Sequence, residues 1–166
     1  VSLNSPQEMT DLGTQGLSVW LYQVLRDNER LNILPEKIGP NQYQRVPLPV
    51  RLHYLMTPLV SVQSTSSPET EQVILGKVLQ VFHDKAKLRG SDLRGDLTGT
   101  DAELNVRLEN LSLEQVSQVF YSLDRSLQLA VSYEVSVVYI ESELQPEDAP
   151  PVQVSIPRYG IEVEGS

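Results

Sequence analysis

The stretch LQLAVSYEVSVVYIE, residues 127–141, sets Leu127, Leu129, Val131, Tyr133, Val135, Val137 and Tyr139 against Gln128, Ser132, Glu134 and Ser136. A period of two places alternate side chains on opposite faces of a strand, so this run predicts a half-buried β-strand. At about 3.3 Å per residue it reaches about 50 Å, against a usual strand of about 5–6 residues. Its outer half, residues 135–141, holds Val137, Val138, Tyr139 and Ile140 and is apolar on both faces. Such a strand is expected to project or to pair across a subunit boundary, since an open edge is a template for another chain. The alternative is a bulge that bends it back into its own sheet.

Other elements group around this strand. Residues 17–26 (LSVWLYQVLR) are apolar on both faces and predict a strand covered on both sides. Residues 50–60 (VRLHYLMTPLV) predict a second strand, ending at Pro58 because proline donates nothing to a ladder. Ser67-Pro68-Glu69 opens a helix to about His83, with Ile74, Val78, Val81 and Phe82 on its apolar side. Leu104, Val106 and Leu108 alternate as a third strand, and Ser112 with Gln115 forms a capping box for a helix to about Leu123 that buries Val116, Val119 and Phe120. Residues 84–100 are broken by three glycines and read as loop, as do residues 27–47 with their prolines. The first sixteen residues show one short turn at Ser5–Glu8. The result is an α+β fold: a mostly antiparallel sheet of four to five strands with two helices packed on one face. Residues 1–141 form the domain, and residues 142–166 form a proline-rich acidic linker and an extended tail with a last alternating run at Val152, Val154 and Ile156.

Composition narrows the function. The net charge is −9, so nucleic acid, which is bound through basic patches, is not an expected partner. No apolar run approaches the ~20 residues that cross a bilayer, so no membrane insertion is expected. Without cysteine, and with only two histidines, His53 and His83, a zinc site is not expected, nor is any other cofactor. His53, between Leu52 and Tyr54, reads as a satisfied sheet residue. His83 suits a helix C-terminus, where a cation is favoured. No nucleophile elbow, Walker loop or dinucleotide fingerprint is present, and no catalytic residue is assigned. A hydrolase using His53 or His83 with a nearby acid, and a binding module recruiting a basic partner through its acidic surface, are the competing classes.

An ordered set of segments carries a resemblance. VWLYQV (19–24) is followed by Asn28, Leu31-Asn32 and Leu34-Pro35, then by PLPVRLHYLMTP (47–58). Glu71 with Leu75-Gly76, His83-Asp84, LNVRLENLSLE (104–114), VSYEVSVV (131–138) and Ala149-Pro150-Pro151-Val152 complete it. This series resembles the cap proteins of phage-tail-like contractile injection systems, the Photorhabdus virulence cassette and the antifeeding prophage. The resemblance implies a tail-terminator-like fold and a structural, non-enzymatic role: a ring, expected to be a hexamer, that ends the inner tube and sheath and couples them. It implies the inner tube protein, the sheath protein and further copies of the chain as partners. Assembly is expected in the bacterial cytoplasm, within a particle that is then released. A baseplate- or sheath-associated adaptor of the same machine is the nearest alternative. The candidate assembly interface comprises Asn28, Leu31, Asn32 and Leu34 in the long loop, and Val135, Val137, Val138, Tyr139 and Ile140 in the long strand.

Overall fold

The computed structural model describes residues 1–30, 34–39, 42–60 and 67–148. The chain forms two compact units, one of Val1–Asn32 with Leu48–Ile140 and one of Ile33–Pro47 with Glu141–Ser166. The first contains helix α1 (Pro6–Asp11), strand β1 (Gly16–Arg26), strand β3 (Leu48–Leu59), helix α2 (Ser67–Asp84), strands β4 (Lys87–Arg89) and β5 (Glu103–Leu108), helix α3 (Leu113–Ser122) and strand β6 (Val131–Ile140). In the second, β2 (Gln42–Tyr43) pairs antiparallel with β7 (Glu147–Asp148), and Arg45 Nε donates to the Gln145 carbonyl at 3.3 Å.

The five strands of the first unit form one antiparallel sheet in the order β1-β3-β6-β5-β4. The expected α+β class and antiparallel sheet are both present, with a third helix. Helix α1 is stopped from fraying by a capping box, in which Ser5 and Glu8 exchange side-chain and backbone bonds, and Ser112 with Gln115 does the same for α3. The capping box expected at Ser112 is present, and at Ser5, where one short turn was expected, a second one opens a six-residue helix.

Alternation divides the helices between the two faces of the sheet. Leu17 and Val19 pack with Met56, Val131, Tyr133, Val135 and Val106 under Val78, Leu79 and Phe82 of α2. Ser18 lies between Leu17 and Val19, so it faces the other way, and its hydroxyl donates to the Asn4 carbonyl just ahead of α1. On that second face Leu55 and Thr57 are fully buried, as are Met9 of α1 and Phe120 of α3. Arg125, past the end of α3, donates to Thr10 of α1 at 2.7 Å. The two helices expected on one face thus cover opposite faces, with α1 beside α3. In α2 the buried stripe runs through Leu75, Val78, Leu79 and Phe82, at i, i+3, i+4 and i+7, while Val81 turns to solvent.

Four strand boundaries differ from the expectation, each for a reason of pairing. β6 begins at Val131, where its pairing with β3 starts opposite Met56, and β5 reaches no further than Tyr133, so residues 127–130 pair with neither strand. β3 runs through Pro58 to Leu59. The Ser2 amide donates to the Leu17 carbonyl, so the backbone groups of Leu17 face away from β3. Pro58, opposite Leu17, is therefore at a non-hydrogen-bonded position, and its missing N–H falls on the side where β6 has already ended. Lys87–Arg89, within the expected loop, pairs with β5 and points Leu88 at the core; one apolar residue is too little to show as a pattern. β1 is an edge strand whose second half is exposed at Leu21, Val24 and Leu25, not covered on both sides. The run at Val152, Val154 and Ile156 lies outside the described residues.

Phe120 is the fully buried side chain of α3. Phe120→Ala should cost about 3–5 kcal/mol in urea unfolding, while Tyr121→Ala, next to it but 85% exposed, should stay within about 0.5 kcal/mol. Equal losses would show that α3 is not seated on the sheet through this face.

Candidate assembly surface and the polar cluster beside it

Strand β6 carries one residue more than β3 between the pairs Leu52–Val135 and Val50–Val138. A single extra residue reverses the facing of everything after it. Val131, Tyr133 and Val135 face α2, and beyond the bulge Val138 and Ile140 take that side while Tyr139 takes the other. The ladder from β5 ends at the Asn105–Ser136 pair, so from Val137 to Ile140 β6 has β3 on one side and no strand on the other among the described residues.

This end of the sheet is apolar and open. Leu48 sits opposite Ile140 and Leu52 opposite Val24, so all four share the face of Val138. Val24 is 51% exposed, Leu48 41% and Ile140 52%. On the reverse face Arg30 Nη1 donates to the Tyr139 hydroxyl at 3.3 Å, which ties the 3-10 turn Asn28–Arg30 to the end of β6. Exposed Asn28 and Tyr139 are therefore brought to the same end of the sheet. Val135 and Val137 belong to the interior of the chain, Val135 packed against the core and Val137 buried. Leu31 and Asn32 lie outside the described residues, and Leu34, in the second unit, is 86% exposed. Sequence reasoning missed Val24 and Leu48. Val24 sat inside a run taken as covered strand and Leu48 lay just ahead of the expected second strand, and only the register across three strands places them beside Ile140.

Charged groups brace the same end. Asp27, at the exit of β1, is buried, and its carboxylate accepts from Arg51 Nη2 at 2.9 Å and from the Glu29 amide at 3.1 Å. Arg51 also lies 3.3 Å from Glu29 and 3.8 Å from Glu134. The hydrogen bond from Arg51 holds the Asp27 carboxyl below its usual range, against the opposing effect of burial.

Next along β3, on the same face as Arg51, His53 Nδ1 lies 2.9 Å from Glu109 Oε1, while its Nε2 is buried without a partner. The sequence reading of His53 as a satisfied sheet residue holds for one nitrogen only. The other oxygen of Glu109 accepts from the Ser132 hydroxyl at 2.6 Å. That bond uses the only proton of Ser132, so the Tyr22 hydroxyl, 3.0 Å away, donates to Ser132. Burial first, then the charge of Glu109, raises the Tyr22 pKa, which keeps it a donor. The order is His–Glu–Ser: the carboxylate stands between histidine and hydroxyl, so the imidazole is not placed to take the serine's proton, as nucleophilic catalysis requires. His83 is exposed in the last turn of α2.

These features define an α+β domain built on one five-stranded antiparallel sheet, with an apolar end left open among the described residues and a polar cluster beside it. The chain belongs to the Pvc16 N-terminal domain family, whose model matches residues 1–154. Among solved structures it is similar to the PVC sheath/tube terminator of an extracellular contractile injection system in its extended state, at 15% identity and a TM-score of 0.55 over 90% of this chain and 52% of that one. It is also similar to the tube-terminating cap of the anti-feeding prophage, at 16% identity and a TM-score of 0.57 over 94% of this chain and 52% of that one. The chain thus spans about half the length of these terminators, and the likeness is one of fold. No curated protein matches it.

The Asp27–Arg51 pair gives a pH test. A depressed carboxyl stabilises the fold fully above its unfolded value and loses that contribution as pH falls through the folded one. Asp27→Asn should therefore lower Tm at pH 7, and the gap to the parent should close as pH drops below about 4. A gap that does not change with pH would mean that the charge of Asp27 contributes nothing.

Proposed function

We propose that this chain is the N-terminal domain of a terminator that caps the inner tube and sheath of a contractile injection particle. The observation that carries this reading is the extent of the shared fold: it covers 90% and 94% of the chain, in two proteins described as terminators. In this reading the chain forms a ring of six copies and contacts the tube and sheath proteins. The particle assembles in the cytoplasm before release. No helix among the described residues is long and apolar enough to cross a membrane.

The open end of the sheet is the proposed contact surface, formed by Val138 and Ile140 on one face and Tyr139 with Asn28 on the other. Val24 and Leu48 join it, and the loop residues Leu31, Asn32 and Leu34 remain candidates. Apolar side chains grouped this way on an acidic chain suit burial against a partner, because scattered ones need no such account. The role proposed is structural and non-enzymatic, in keeping with the histidine held away from Ser132.

Ile140→Lys tests the surface, since a charge there is costly in a dry contact and harmless in water. The variant should keep its circular dichroism and Tm but fail to form rings or to sediment with tubes. Full assembly by Ile140→Lys and Val24→Lys alike would remove this surface from consideration. The terminator role has its own test: particles made without the protein should show a broad spread of tube lengths. A normal, narrow distribution in the deletion strain would overturn it.

A further inference from the structure

We propose that His53, Glu109 and Glu134 bind one divalent transition-metal ion. Their donor atoms, one from each side chain, all lie within 4.8 Å of one another. Atoms bonded to a single tetrahedral zinc ion at about 2.0–2.2 Å stand about 3.4 Å apart, so side-chain shifts of about an ångström close the site.

The backbone sets these donors in place. His53 and Glu134 are directly opposite across β3 and β6. Glu109 follows β5, with its amide bonded to the Ser132 carbonyl at 2.9 Å, which fixes it alongside β6. Three strands thus converge on one point. The far oxygen of Glu109 is held by Ser132, itself held by Tyr22, the outer support that orients a metal-binding carboxylate.

The histidine is the buried member of the set. Its side chain is 8% exposed, and Nδ1, 2.9 Å from Glu109 Oε1, is the ring nitrogen that meets the carboxylate and would ligate. Between that nitrogen and the carboxylate oxygen lies a proton or a metal ion, and a bound ion would displace the proton. Charge points the same way. Leaving out the mostly exposed Glu29 and Arg30, Asp27, Glu109 and Glu134 supply three negative charges and Arg51 one positive. Three minus one leaves two, the charge of one divalent cation. Arg107 pairs with Glu134 in register, but it is solvent-exposed. Arg51 spends its short contact on Asp27 and stands 3.8 Å from Glu134, leaving that carboxylate free to ligate. An imidazole with two carboxylates suits zinc or manganese over magnesium or calcium, which take all-oxygen shells.

The ion would clamp β3, β6 and the end of β5 together, one strand position from the proposed contact surface. Titration calorimetry and thermal melts of the EDTA-treated chain with zinc, manganese and magnesium chlorides test this. One equivalent of zinc or manganese should bind and raise Tm, and magnesium should not. Glu134→Gln and His53→Gln should each weaken that binding by about tenfold or more. Should His53→Gln fail to fold, Glu134→Gln alone decides, since Glu134 is partly exposed and Gln fills the same space. No zinc or manganese binding by the parent chain, or binding that Glu134→Gln leaves intact, would overturn the proposal.

Discussion

The register between β3 and β6 sets both faces of the sheet at once. From Val131 to Val135 the odd-numbered residues of β6 pack in the cluster under α2, and after the extra residue between Val135 and Val138 the even-numbered ones take that face of the sheet. A strand without the bulge would carry Tyr139 onto the α2 side and turn Val138 and Ile140 away. The bulge therefore decides which apolar residues lie next to Leu48 and Leu52. It also decides that Tyr139 falls where Arg30 reaches it. Bulges are common where a strand must re-aim its side chains, and here one separates the packed half of β6 from the open half.

That device also explains what was legible in the sequence. Alternation, capping boxes and an aliphatic stripe are local signals, and they located β5, β6, α2 and α3 with small errors at the ends. The alternation of residues 127–141 looked continuous because Val137, Val138, Tyr139 and Ile140 are all apolar, so a shift of one residue leaves no trace in the pattern. The true length of β6 depends on where its pairing with β3 and β5 stops, which no reading of β6 alone contains. Likewise, the proline at position 58 looked like a stop because its tolerance depends on Ser2, over fifty positions away, turning the backbone of Leu17 outward.

The polar cluster was illegible for the same reason. His53, Glu109 and Glu134 have no motif spacing, and each alone is an ordinary residue on a strand or just past one. Their meeting follows from two registers, β3 with β6 and β5 with β6. Asp27 was taken as the first residue of a loop. Burial of its carboxylate under Arg51 shows instead that the exit from β1 is a fixed corner, with the 3-10 turn after it held by the Glu29 amide.

The sheet treats its open edges unequally. The β4 edge is three residues long and carries Lys87 and Arg89, a short charged strand of the kind that discourages further pairing. Along β1 the first part is covered by the Ser2 bridge to Ser18, and the rest has no strand beside it among the described residues. There the side chains Leu21, Val24 and Leu25 are exposed and apolar, with Gln23 and Arg26 between and after them. The two edges thus differ in what they offer a neighbouring strand: charge at β4, and an apolar row at the second half of β1 that fits the proposed contact surface on the same strand at Val24.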